Sequence, residues 1–178
     1  NSDGKKGIAL TQLVYISSEK QEEMKSNAEA LGTDYTFDPL FNSQEYERFT
    51  NEIMVGNSII CLLDPALYNE VKGVDGFLLL DEILDVVPDS AHDEYSIKFS
   101  ETKFYKYFTV FQNMPDDTLL AVRRISAMSV FKGQKNMEKI HSDHIDFFKK
   151  IVNFEYPEGY EETLVTDNNS DMETTDNP

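Results

Sequence analysis

Six uncharged residues, Ser58-Ile59-Ile60-Cys61-Leu62-Leu63, run directly into Asp64-Pro65. A run of that length reads as a strand covered on both faces, as in the middle of an α/β sheet. Asp64 then stands where an N-cap accepts from the first free amides of a helix. Pro65 stands at the first helical position, where its missing N–H is not needed. The short helix 66–71 stops at Gly73. A strand that passes through one residue into a helix restricts the chain to layered α/β architectures.

The flanking sequence extends that pattern. Residues 8–16 (IALTQLVYI) are apolar and β-rich, long enough for a buried strand. Ser18-Glu19-Lys20-Gln21 has the form of a capping box, opening a helix with Met24, Ala28 and Leu31 on one face and Gly32 at its end. Asn42-Ser43-Gln44-Glu45 opens a second helix with Tyr46, Phe49, Ile53 and Met54 as its apolar stripe and Gly56 as its stop. Phe77 to Leu80 form another apolar run, after which Asp81 caps the turn Glu82-Ile83-Leu84. Tyr95, Ile97 and Phe99 alternate with Ser96 and Lys98 as a half-exposed strand. Phe104, Tyr107, Phe108 and Phe111 fall at helical spacing behind Ser100 as cap. Residues 118–125 resume a strand, and 134–154 form the longest helix. The expectation is one α/β domain over residues 7–156, a mixed sheet with helices on its faces. Residues 1–6 read as a linker. Residues 157–178, with seven carboxylates and no Lys or Arg, read as a disordered acidic tail.

Charge narrows the function. The chain carries 16 Lys and Arg against 33 Asp and Glu, a net −17. A surface that acidic repels phosphate backbones and anionic headgroups, so nucleic acid is set aside as a partner. Membrane contact is expected only through an anchor upstream of the polar opening Asn1-Ser2-Asp3-Gly4-Lys5-Lys6, which lacks an initiator Met. One cysteine excludes a disulfide framework within the chain.

Few residues point to chemistry. His141 and His144 sit at i, i+3 in HSDHID, a spacing that suits two metal ligands. His144, however, falls on the apolar stripe of Met137, Ile140, Phe147 and Ile151, which reads as a boundary histidine. Asp85, Asp89, Asp93 and Glu94 crowd one loop without the glycine and terminal glutamate of a calcium loop, and read as solvated. Cys61 lies inside its strand and reads as an inert core thiol. Phe104 to Phe111 read as core, with a stacking wall for a ligand as the alternative. Arg48, Arg123 and Arg124 are the only arginines. Arg123 and Arg124 close a strand, so one can face a pocket as a carboxylate clamp or join an internal ion pair. No phosphate-binding glycine loop or nucleophile elbow occurs, no cofactor is called for, and the reading is non-catalytic.

Residues 58–84, as SIICLLD, PALYNEV and GFLLLDEIL, resemble the second lobe of bacterial extracytoplasmic solute-binding proteins, where an apolar strand ends in Asp and a proline-started helix follows. The chain also resembles small membrane-anchored bacterial proteins of unknown function. The resemblance implies one lobe of a periplasmic-binding-protein fold and a non-catalytic module displayed outside the cytoplasmic membrane. Its partner would be a small solute or a protein. Such a sheet places a ligand at its strand ends, here Asp64, Tyr68, Asp81 and Arg123. The alternative is an interaction or structural domain.

Overall fold

The computed structural model describes residues 11–74, 76–125 and 134–160. The sequence readings for residues 1–6, the first part of 8–16 and most of the acidic tail lie outside them. Among the described residues the chain is α/β, with a three-stranded sheet flanked by helices. The helices are α1 (Ser18–Ala30), α2 (Pro39–Val55), α3 (Pro65–Val71), α4 (Leu80–Ile83), α5 (Lys103–Tyr107) and α6 (Gln134–Val152). The strands are β1 (Ile60–Leu63), β2 (Ser96–Lys98) and β3 (Leu119–Val122). No helix among these residues is long and apolar enough to cross a membrane.

The sheet order is β1-β3-β2 and both pairings are antiparallel, with Ile60 opposite Val122 and Ile97 opposite Leu120. The expected mixed sheet is therefore antiparallel in its described part, and its centre is β3, not β1. All four β3 residues are buried, whereas Leu62 on β1 is 38% exposed. An uncharged run alone cannot distinguish a central strand from an edge strand with one covered face.

Alternation along β3 divides the core into two layers. Leu120 and Val122 face a cluster with Ile97, Phe99, Tyr105, Phe148 and Ile151, which carries α5 and α6. Leu119 and Ala121 face Phe49, Ile53, Cys61, Tyr68, Val71 and Phe77, which carries α2 and α3. The helices thus lie on both faces of the sheet, as expected.

Local departures have local causes. The described part of the expected first strand, residues 11–17, forms no strand. It is held by α2: the Ile16 amide donates to Asn42 Oδ1 at 2.8 Å and the Val14 amide to Glu45 Oε2 at 3.1 Å. Asn42 and Glu45, read as the opening of α2, are instead its buried polar grips, and α2 begins one turn earlier at Pro39, where Asp38 accepts from the Leu40 and Phe41 amides. The Val14 amide, aided by Arg48, outweighs burial and holds the Glu45 carboxyl below its usual range.

The cap of α1 is Ser17, and Gln21 reaches back to the Ile16 carbonyl at 2.8 Å instead of to the cap amide. No residue of α1 is buried, so its Met24-Ala28-Leu31 face is not a core face. α5 is capped by Thr102, not Ser100, and gives way at Phe108 to a 3-10 turn over Thr109–Phe111.

Central and edge strands should answer differently to truncation. Leu120→Ala is expected to destabilise by about 2–5 kcal/mol and Leu62→Ala by less than about 1.5 kcal/mol, measured by urea unfolding. Equal costs would contradict the placement of β3 at the centre.

Candidate functional site

The sequence-derived site residues Asp64, Tyr68, Asp81 and Arg123 do not converge. Asp64 follows the end of β1 and Arg123 follows the end of β3. Because Leu63 pairs with Leu119 and Ile60 with Val122, the antiparallel register puts these two residues at opposite ends of the sheet. The rule that gathers ligands at the carboxyl ends of strands applies to parallel sheets.

Asp64 caps α3 as expected, its Oδ1 accepting from Ala66 and Leu67. Asp81 does not cap α4. Leu79 occupies that position without a side-chain bond, and Asp81 is exposed in the first turn, where its charge favours the helix N-terminus.

Tyr68 is fully buried, its ring 5.5 Å from that of Phe77. Its hydroxyl donates to the Asp93 carboxylate, with O···O distances of 2.7 and 2.8 Å. Asp93 also accepts from the Tyr95 and Ser96 amides and from the Ser96 hydroxyl, and pairs with Lys72 at 3.6 Å. Burial opposes the Asp93 charge, but these donors outweigh it and hold its carboxyl below the usual range. The same desolvation pushes the Tyr68 phenol well up. Asp93 was read as part of a solvated acidic loop; it instead ties that loop to α3. Asp-x-Tyr-Ser, with the side chain bonding amides two and three residues on, is a local turn signal that reveals this role.

Arg123 is 1% exposed, and its fork is committed to the main chain. Nε donates to the Ser58 carbonyl at 2.7 Å and Nη2 to that of Gly56 at 2.6 Å. Nη1 lies 3.5 Å from the Ile53 carbonyl and 3.4 Å from that of Arg124. The guanidinium thus serves carbonyls at the end of α2 and in the turn that follows. Glu52 grips the same turn from the other side, its Oε1 accepting from the Asn57 and Ser58 amides at 3.0 and 2.7 Å. Burial lowers the Arg123 pKa, opposed by the nearby negative charge of Glu52. Arg123 is thus a brace, and reaching a solute would require breaking these bonds.

Both described imidazoles of α6 lie near main-chain carbonyls, His141 Nε2 3.0 Å from that of Arg123 and His144 Nδ1 2.7 Å from that of Ile140. Cys61 is buried in β1, and desolvation pushes its thiol up to about 12.

Two surface features remain. A depression of about 430 Å³ beside Asp64 is lined by Tyr15, Ile16, Glu19, Lys20, Pro65 and Leu67, among others. The second is aromatic. Phe104, Tyr107 and Phe108 from α5 and its end meet Phe154, Tyr156 and Tyr160 from the segment after α6. Ring centroids are 4.7 Å apart for Phe104 and Phe108, 5.2 Å for Tyr107 and Phe154, 5.0 Å for Tyr107 and Tyr160, and 4.7 Å for Tyr156 and Tyr160. The inner side joins the core through Phe99 and Phe111. The outer side is open: Phe108 and Tyr160 are each 37% exposed and Val110 is 73% exposed. The two readings of this segment, core and stacking wall, therefore describe opposite sides of one cluster.

Comparison with family models, curated proteins and solved structures finds no match to this chain. The α/β class stands on the described residues alone.

Removing the Arg123 side chain leaves buried carbonyls without donors. Arg123→Ala is expected to destabilise by about 3–5 kcal/mol, and Gly56→Ala to destabilise as well, because its methyl would lie 2.5 Å from the Glu52 carbonyl oxygen. A near-neutral Arg123→Ala in chemical denaturation would refute the brace. Asp93 and Glu52 have folded pKa values below their reference values of 3.8 and 4.5. Their stabilisation is complete above those reference values and is lost as pH falls through the lower folded ones. Stability between pH 7 and pH 5 should therefore be insensitive to these two groups, and the acid loss below pH 4 should be shallower in Asp93→Asn, as read by denaturation at a series of pH values.

Proposed function

We propose that the chain is a non-catalytic binding module that engages a protein partner through the aromatic face of α5 and the segment following α6. The observation that carries this reading is the exposure of Phe108, Val110 and Tyr160 on the rim of a ring cluster whose inner side is core. Aromatic side chains anchored from behind present apolar area at little entropic cost, and such residues are enriched at protein interfaces. Five groups that carry chemistry in other proteins, Cys61, Tyr68, Arg123, His141 and His144, are each buried in the core or set against internal groups, which supports a non-catalytic role for them. The extracytoplasmic setting and the upstream anchor belong to the same proposal and rest on the sequence resemblance.

A solute-binding lobe is the second reading, and the depression beside Asp64 favours it. A thermal-shift screen of amino acids, sugars, short peptides and divalent cations addresses it. A ligand at one hundred times its dissociation constant adds about 2.7 kcal/mol to stability. A shift confined to one chemical class and lost in Asp64→Asn would establish the solute reading; flat curves would remove it.

The protein-partner reading is tested by placing a photo-crosslinking residue at position 110 of the full chain and, separately, at position 22 on α1. Protein adducts are expected from position 110 only, and Phe108→Ser with Tyr160→Ser should abolish them in a chain whose cooperative melting shows that it is still folded. Equal adducts from both positions would count against the aromatic face.

A further inference from the structure

The charge around the aromatic face differs from that of the rest of the molecule. Between Lys103 and Phe111 the chain places five rings and two lysines and no carboxylate, in a protein that has 33. A depression of about 600 Å³ beside it is lined by Asp146, Lys149, Lys150, Asn153, Phe154 and Glu155. Of its two carboxylates, Glu155 is paired with Lys103, whose ammonium also lies 6.0 Å from the centre of the Tyr156 ring. Lys106, Lys149 and Lys150 form no ion pair among the described residues. Phe147, 39% exposed, extends the apolar surface on the last turns of α6. Asp146 and Glu158 are the other carboxylates of this region, so exposed rings stand beside three lysines that pair with no described residue, in a molecule of net charge −17.

We propose that this face docks an acidic protein segment bearing apolar side chains. Its carboxylates would meet Lys106, Lys149 and Lys150, and its apolar side chains would pack on Phe108, Val110, Phe154 and Tyr160. The proposal rests on the reading of this face as a protein-binding surface and adds the chemistry of the partner. A basic segment finds its counter-charges elsewhere on this protein and meets three unpaired lysines here. A second copy would set those lysines against their own counterparts. An anionic membrane would have to overcome the net charge of the whole chain. Lys25 and Lys139 are also unpaired among the described residues, but only at this face do several lysines stand beside exposed rings, so charge favours docking of an acidic segment here and rings supply the contact area.

The test uses the full chain and two fluorescein-labelled peptides, three repeats of Glu-Glu-Leu-Phe and three repeats of Lys-Lys-Leu-Phe, read by fluorescence anisotropy. The glutamate peptide is expected to bind. Its affinity should fall about tenfold or more in Lys149→Glu with Lys150→Glu, and again as salt is raised from about 50 to about 500 mM. It should also fall in Phe108→Ser with Tyr160→Ser. Val110→Glu, at an open position, gives the same readout should the ring variants unfold. Binding of the lysine peptide, driven by carboxylates elsewhere, should be unchanged by the ring variants. A glutamate peptide that binds through the rings but is indifferent to salt and to Lys149 and Lys150 overturns the acidic partner and leaves the docking face standing. Binding indifferent to the ring variants and to Val110→Glu overturns both. Self-association of the chain in sedimentation, abolished by Val110→Glu, assigns the face to a second copy, and adsorption to phosphatidylserine vesicles, abolished by the same change, assigns it to a membrane; either result overturns the proposal.

Discussion

The guanidinium of Arg123 is the interaction on which the two-layer arrangement depends. Its fork bonds carbonyls at the end of α2 and in the turn before β1, while its own amide donates to the Ile59 carbonyl at 2.7 Å. One residue therefore holds the exit of α2, the entry to β1 and the end of β3 in a fixed relation. A charge so deeply buried is tolerated because its donors have acceptors and Glu52 supplies opposite charge nearby. The layer of α2 on the sheet, through Phe49 and Ile53 against Cys61, Leu119 and Ala121, follows from that geometry.

Asp93 plays the complementary part on the far side of α3. It gathers a phenol, two amides, a hydroxyl and an ammonium at one carboxylate, so the loop before β2 cannot separate from α3 without exposing several donors at once. The core of this small sheet is thus fastened at two places by ionised groups whose hydrogen bonds go mainly to neutral donors or acceptors, with apolar packing between them. The aromatic face lies outside both fastenings and owes its order to ring contacts and the Lys103–Glu155 pair.

Much of the local structure was legible in the sequence. Asp64-Pro65 starts α3 as read, and apolar stripes at helical spacing locate α2 and α6. Asp38-Pro39 carries the same Asp-Pro start one turn ahead of Asn42-Ser43-Gln44-Glu45, and it is the start that α2 uses. Strand rank was not legible: residues 118–125 hold two arginines, which made the central strand look less buried than the uncharged run that became an edge. Hydrophobic pattern cannot reveal that a guanidinium will bond carbonyls, because those acceptors are main-chain groups present in every sequence. The same limit applied to the candidate site. Tyr68 and Arg123 were chosen for their chemistry, and that chemistry is directed inward. The aromatic face was visible as helical periodicity, but only the break at Phe108 turns part of it outward.

The burial of Cys61 has a practical consequence. The chain has a single thiol, and it lies under α2 in a strand whose neighbours are Phe49, Leu63 and Ala121. A thiol reagent cannot reach it while α2 stays seated, and burial also keeps the group protonated at neutral pH. The rate at which such a reagent consumes the native protein therefore follows how far that helix opens from the sheet, and equals the opening rate once the reagent is concentrated enough to outpace reclosing, so the molecule carries a built-in gauge for the opening of one layer.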